Sequence, residues 1–201
     1  MYNLTFKRVV DVAGATLGLV LAAAPMALIA ALIRWRMGSP VLYRVARPGL
    51  HAQPFVVLKF RTMDDRRDAD GKPLPDRERV TPLGRTLRRM SLDELPQLLN
   101  VLKGEMSLVG PRPLNTGYLE HYSPEQARRH DVKPGITGLA QVSGRNVLGW
   151  DERFRLDVEY VDHVSLRLDA RILFETVLKV LRQDGIGPDG DLDVPMFTGH
   201  R

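Results

Sequence analysis

The longest hydrophobic stretch lies near the N-terminus. From Val12 to Ile33 no charged side chain interrupts the chain, a run of about 22 residues and roughly 33 Å as a helix, enough to cross the hydrocarbon core of a bilayer. It outruns the apolar core of a cleaved signal peptide, so a lasting membrane segment is expected. Lys7 and Arg8 precede it and Arg34 and Arg36 follow, and basic residues on both flanks give no orientation under the positive-inside rule. Pro25 falls near the middle, where it cannot donate to the carbonyl of Leu21 and pushes the helix to bend. A helix that enters, bends at Pro25 and leaves by the same face keeps both basic flanks cytosolic. This re-entrant arrangement is expected over an ordinary spanning helix, with Trp35 at the headgroup level.

Beyond the apolar run the pattern changes several times. Residues 54–63 (PFVVLKFRTM) have the β-branched and aromatic content of a short strand. The charged segment from Asp64 to Arg79, with Gly71, Pro73 and Pro75, reads as loop. Ser91 to Lys103 reads as a helix stopped by Gly104. Ser107 to Pro113 is a shaped loop; Pro134 to Gly138 and Gly144–Arg145–Asn146 are further turns. Asp151 to His163 and Asp169 to Arg182 have helical periodicity. The last helix has two readings: packing on the core, or lying on the membrane, which its basic polar face favours. The fold class expected is α+β and mostly helical: a membrane-anchoring segment over 1–36, a small catalytic domain with interfacial amphipathic helices over 37–185, and a tail over 186–201.

Composition narrows the chemistry. The 201 residues hold no cysteine, which excludes disulfides and thiolate chemistry. Net charge is +5 with a sequence pI near 9.7, compatible with nucleic acid, an anionic bilayer or phosphorylated substrates. No recognition-helix or zinc-finger pattern accompanies the charge, so nucleic acid is not an expected partner.

The acidic pair Asp93–Glu94 also has two readings. Ser91 and Glu94 have the spacing of a capping box, with Met90 and Leu95 placed as a hydrophobic staple. Functionally, Arg85, Arg88 and Arg89 precede the pair, and Arg112 follows within Pro-Arg-Pro. A carboxylate at a helix start among guanidinium groups is expected to stay ionised and able to attack phosphorus. The same positive field suits nucleotide phosphates.

A wider series of motifs surrounds the pair. Lys7-Arg8 with Asp11 and the proline-broken apolar run lead to RPGL (Arg47–Leu50) and Lys59-Phe60-Arg61-Thr62-Met63. Then come Ser91-Leu92-Asp93-Glu94-Leu95-Pro96-Gln97, Asn100-Val101-Leu102-Lys103-Gly104 and Val109-Gly110-Pro111-Arg112-Pro113. Pro134-Gly135-Ile136-Thr137-Gly138, Gly144-Arg145-Asn146, Asp157 and Tyr160-Val161 complete it. In this order the chain closely resembles the monotopic phosphoglycosyl transferases, the bacterial sugar-transferase family that initiates glycoconjugate assembly. Only the tail after about Gly185 is unmatched.

The resemblance implies a re-entrant membrane helix, a cytosolic catalytic domain on the inner membrane, UDP-sugar and undecaprenyl (polyprenyl) phosphate as substrates, and Mg²⁺ as cofactor. It makes Asp93 the nucleophile and gives Glu94 either the Mg²⁺ or the positioning of the phosphates. Arg112 matches a nucleotide-contacting arginine; Lys59, Arg88 and Arg145 are candidates for neutralising phosphate charge, and Asp157 matches a further recurring position counted with the substrate-binding residues. The chain departs from the family at the helix break, where Ala24-Pro25 replaces the usual Ser-Pro. Two rivals remain: a membrane-tethered basic adaptor without chemistry, and a glycosyltransferase that moves the sugar without its phosphate and releases UDP.

Overall fold

The apolar run becomes one helix, α1 (Leu4–Met37), in a computed structural model that describes residues 4–144, 148–182 and 196–199. Helical conformation continues through Pro25, so the expected division into two helices is not found. The proline removes a single N–H, and its neighbours Leu21-Ala22-Ala23-Ala24 and Met26-Ala27-Leu28 are strong helix formers that carry the backbone across it.

One stripe of α1 faces the rest of the protein. Lys7, Asp11, Ala15, Ile29 and Ile33 are buried, with Gly18, Ala22 and Met26 half-buried between them. The opposite side leaves Val12, Leu17, Val20, Leu21 and Leu28 exposed. At roughly 1–2 kcal/mol for each part-exposed Val or Leu, that face in water would forgo on the order of 5–10 kcal/mol, comparable with a domain's whole stability. The helix is long and apolar enough to enter a membrane, and this imbalance associates it with one.

Lys7 and Arg8, read from sequence only as basic flank residues, are bonded to the rest of the domain. Lys7 Nζ lies 2.6 Å from Asp169, which the Tyr160 hydroxyl also reaches at 2.7 Å. Arg8 donates to the carbonyls of Val101 and Leu102, at a helix end where the unpaired C=O groups attract a cation. Asp11 accepts from Ser107 Oγ and Leu108 N, both at 2.9 Å. These bonds replace hydration lost on burial.

The remaining elements are β1 (Leu42–Pro48), β2 (Pro54–Phe60), α2 (Asp76–Arg79), α3 (Pro82–Arg89), α4 (Gln97–Lys103), β3 (Ser107–Val109), α5 (Pro124–Ala127), β4 (Gly135–Thr137), α6 (Leu139–Ser143), α7 (Trp150–Asp162) and α8 (Leu166–Arg182). β1 and β2 form an antiparallel hairpin with Val45 opposite Val57, and β3 and β4 form a parallel pair. That second pair sits where only loops and turns were expected. Its strands are three residues each, and it depends on glycine for close approach: a Cβ on Gly135 would lie 2.1 Å from the Gly110 nitrogen.

Among the described residues three apolar clusters form the core. One joins Val109, Leu139, Leu156, Tyr160 and Ile172; the other two join Ile29 and Ile33 to Phe60 and Leu87, and Ala15 to Val101 and Met106. α1 is therefore part of the core as well as the membrane anchor. α8 answers to both of its expected readings in composition: Ile172 is fully buried, while Phe174, Val177 and Leu181 are exposed. From the tail, Phe197 is buried against Tyr118, Tyr122, Trp150 and Phe154, 4.9 Å from the last.

Asn100, fully buried on α4, satisfies the free edge of β2. Its Oδ1 accepts from Leu58 N at 3.1 Å, and its Nδ2 donates to the Val56 carbonyl at 2.7 Å. Asn100→Leu leaves the buried Leu58 N–H and the part-buried Val56 carbonyl without this partner, at about 1–3 kcal/mol for a buried group. The variant is expected to lose about 2–4 kcal/mol in denaturant unfolding in detergent; an unchanged midpoint would show that β2 is held without it.

Candidate active site

α3 sets the geometry. Thr81 caps it by accepting from Gly84 N at 3.0 Å, and Pro82 supplies the preformed first turn. A Cβ on Gly84 would sit 1.9 Å from the Thr62 carbonyl, so this helix lies directly on the chain leaving β2. Arg88 Nε then donates to Thr62 Oγ1 at 3.0 Å.

The expected capping box is absent. Ser91 adopts a left-handed conformation (φ 55°) and makes no side-chain cap; it ends α3 instead of starting the next helix. Left-handed Ser91 interrupts the helical backbone, and Pro96 has no N–H to bond the Leu92 carbonyl, which Leu95 N reaches instead at 3.3 Å. Leu92–Glu94 form a short 3₁₀ turn between the two helices, and α4 begins only at Gln97. The acidic pair therefore sits on a tight corner.

Three elements meet at that corner. Lys59 Nζ from β2 lies 2.7 Å from Glu94 Oε1. Arg112, after β3, grips the same carboxylate with Nη2 at 2.7 Å from Oε1 and Nη1 at 3.3 Å from Oε2. Burial pushes the Glu94 carboxyl up, but these two cations outweigh it and hold the group well below the usual carboxylate range.

Asp93 is treated differently. It is buried and takes part in no hydrogen bond or ion pair among the described residues. Burial first, and then the neighbouring Glu94 charge, push its carboxyl up to about 6 against the opposing pull of Lys59, Arg88 and Arg112. At about 6 the carboxyl is still mostly ionised at pH 7, and it is Glu94, not Asp93, that takes the direct contacts of Lys59 and Arg112. Adjacent acids with divided environments are a recurrent arrangement for divided roles.

Lys59, Arg88, Asp93, Glu94 and Arg112 are thus brought together. Arg145 lies outside the described residues. Asp157 is placed behind the corner, fully buried on α7, with its Oδ2 receiving Arg129 Nε at 3.0 Å and Nη2 at 2.7 Å. Sequence reasoning missed Arg129 because one arginine in the run Arg128-Arg129-His130 looks no different from its neighbours. It also passed over Arg47, whose guanidinium is lowered by burial and feels the charge of Arg112; RPGL marked the segment without marking its role.

An unpaired buried carboxylate beside a charge-matched one, within a basic rim, fits attack on a phosphorus centre. Comparison with known proteins decides the class. Residues 2–183 match the bacterial sugar transferase family. The chain belongs to that family. It is 51% identical over 193 residues to the uncharacterized sugar transferase EpsL of Bacillus subtilis, covering 96% of both chains. It is 46% identical to a UDP-glucose:undecaprenyl-phosphate glucose-1-phosphate transferase of Caulobacter vibrioides, over 89% of this chain and 70% of that one. It is 43% identical over 167 residues to an undecaprenyl-phosphate galactose phosphotransferase of Salmonella typhimurium, spanning 75% of this chain and 35% of that longer protein. The chain is a phosphoglycosyl transferase, which retires the reading as an adaptor without chemistry.

The Asp93 environment gives a signed prediction. A carboxyl raised from 3.8 to about 6 in the folded state binds more protons folded than unfolded between those values, so its contribution falls as pH rises through them and is destabilising at pH 7. Asp93→Asn removes that cost and should raise stability at pH 7 by roughly 1–3 kcal/mol, with the gain fading below about pH 4, while activity is lost. A variant less stable than wild type at pH 7 would contradict this account of the Asp93 site.

Proposed function

We propose that the protein transfers a sugar 1-phosphate from a UDP-sugar to undecaprenyl phosphate, releasing UMP, as the first membrane step of glycoconjugate assembly on the cytoplasmic face of the bacterial inner membrane. The names of the Caulobacter and Salmonella relatives support the acceptor and the reaction class. The observation that carries the roles is the contrast between unpaired Asp93 and fully matched Glu94.

Asp93 is the nucleophile. Its oxygen attacks the sugar-bearing phosphorus, the bond to the bridging oxygen breaks, and UMP leaves with that oxygen. An oxygen of the lipid phosphate then attacks the same phosphorus, the aspartyl–phosphorus bond breaks, and Asp93 is restored with polyprenyl diphosphate sugar as product. This two-step route is ping-pong. Arg112 bridges Glu94 to the nucleotide phosphates, and Lys59, Arg88 and Arg145 offset the charge that develops.

Among the described residues no group of three or more acidic or histidine side chains forms a metal cage. Mg²⁺ needs less, since it is held through one or two carboxylates plus substrate phosphates; the Asp93–Glu94 corner fits that mode. Glu94 Oε2, whose only contact from Arg112 is the long 3.3 Å one, is the atom that would hold it. The ion would supply neutralisation of the diphosphate.

The attachment of α1 supports the proposed membrane arrangement. Its start is bonded to Asp169 through Lys7, and its end packs through Ile33 on Phe60 and Leu87. Both ends belong to one domain, which supports a helix that enters and leaves by the same face, with the bend proposed at Pro25 taken up within one continuous helix. The exposed Phe174, Val177 and Leu181 of α8 extend the apolar surface as an interfacial helix.

Detergent-solubilised protein with Mg²⁺ and a panel including UDP-glucose and UDP-galactose should release UMP in a lipid-dependent manner, and Asp93→Asn should lose at least about 10³-fold. Release of UDP instead would assign the glycosyltransferase rival. Since the chain has no cysteine, single cysteines at Thr5 and Arg36 test the topology: both should be labelled from the cytosolic side, whereas labelling from opposite sides means a spanning helix.

A further inference from the structure

Arg129 is nearly completely buried and makes no contact with the acidic corner itself, yet it is bonded to a residue that does. Its Nη2 donates both to Asp157 Oδ2 and to the backbone carbonyl of Arg112, each at 2.7 Å, while its Nε adds a bond to Asp157 at 3.0 Å. The Tyr122 and Phe154 rings lie 5.7 and 5.8 Å from the guanidinium carbon and screen it from water. Pro111 and Pro113 on either side of Arg112 have no N–H to donate, so this loop cannot be held by an ordinary strand ladder. The Pro111 carbonyl is held by Gly135 N at 3.0 Å and the Arg112 carbonyl by Arg129.

We propose that Arg129, oriented by Asp157, is a positioning residue that fixes the Arg112 backbone so that its guanidinium meets Glu94 and the donor's diphosphate. This rests on the function proposed above and changes the part played by Asp157: it acts on the donor through two arginines. A guanidinium suits the task because its rigid planar fork presents donors to a carboxylate and a carbonyl in fixed directions, which the rotatable donors of an ammonium group do not.

The test is a cycle of four proteins: wild type, Arg129→Met/Asp157→Leu, Arg112→Ala, and the three substitutions combined. Removing both members of the buried pair avoids a stranded charge, and apolar replacements of such pairs commonly preserve folding. In ping-pong kinetics, kcat/KM for the donor and for the lipid report separate half-reactions. The pair replacement should lower donor kcat/KM at least tenfold, leave lipid kcat/KM within about threefold, and have no further effect in the Arg112→Ala background. Equal losses for both substrates would assign a purely structural role and overturn the proposal, as would an unchanged donor value or a loss that adds in full to Arg112→Ala. Wild-type protein that released no UMP would refute the assigned reaction instead; UDP affinity measured by calorimetry across the same four proteins, with the same expected pattern, then decides the positioning role.

Discussion

Lys59 on β2 and Arg112 beyond β3 reach the site from segments more than fifty residues apart and meet on one carboxylate, Glu94. The rest of the site depends on that meeting. It consumes the local positive field close to Glu94, so the adjacent Asp93 is left buried, unpaired and elevated to about 6. An acid in that state still ionises at neutral pH but, among the described residues, has given none of its lone pairs to a donor. The arrangement carries a cost in stability and places that cost on the residue proposed as the nucleophile.

The supporting structure holds the two cations in place. Asn100 keeps β2, and hence Lys59, against α4. Gly84 lets α3 close onto Thr62, which brings Arg88 to the same corner. Arg129 holds the Arg112 carbonyl from behind. α1 joins this framework through Lys7, Arg8 and Asp11 at its start and Ile29 and Ile33 near its end. The apolar N-terminal helix and the domain that holds the acidic corner therefore share one set of contacts.

Residue spacing carried some of this and omitted the rest. α7 and α8 were legible because their apolar positions repeat at the helical period, and β2 because of its β-branched content. The acidic pair and its cations were legible through the motif series. The corner itself was not: Ser91 and Glu94 have the spacing of a capping box, but Ser91 is left-handed and Pro96 lacks an N–H, and the segment between them is a 3₁₀ turn. Lys7 and Arg8 looked like topological charges because their partners, Asp169 and the end of α4, lie far away in the sequence. Arg129 was hidden for the same reason. The pairing of β3 with β4 rests on close approach between glycines, which no local propensity reports.

The central claim is that Asp93 becomes covalently attached to the sugar phosphate. Intact-protein mass spectrometry after incubation with the donor and Mg²⁺, without any lipid acceptor, tests it directly. The account predicts a mass increase of one phosphosugar, mapped to the peptide containing Asp93, that disappears when undecaprenyl phosphate is added. An adduct on another residue, or UMP formed only in the presence of lipid with no adduct at any time, would contradict it.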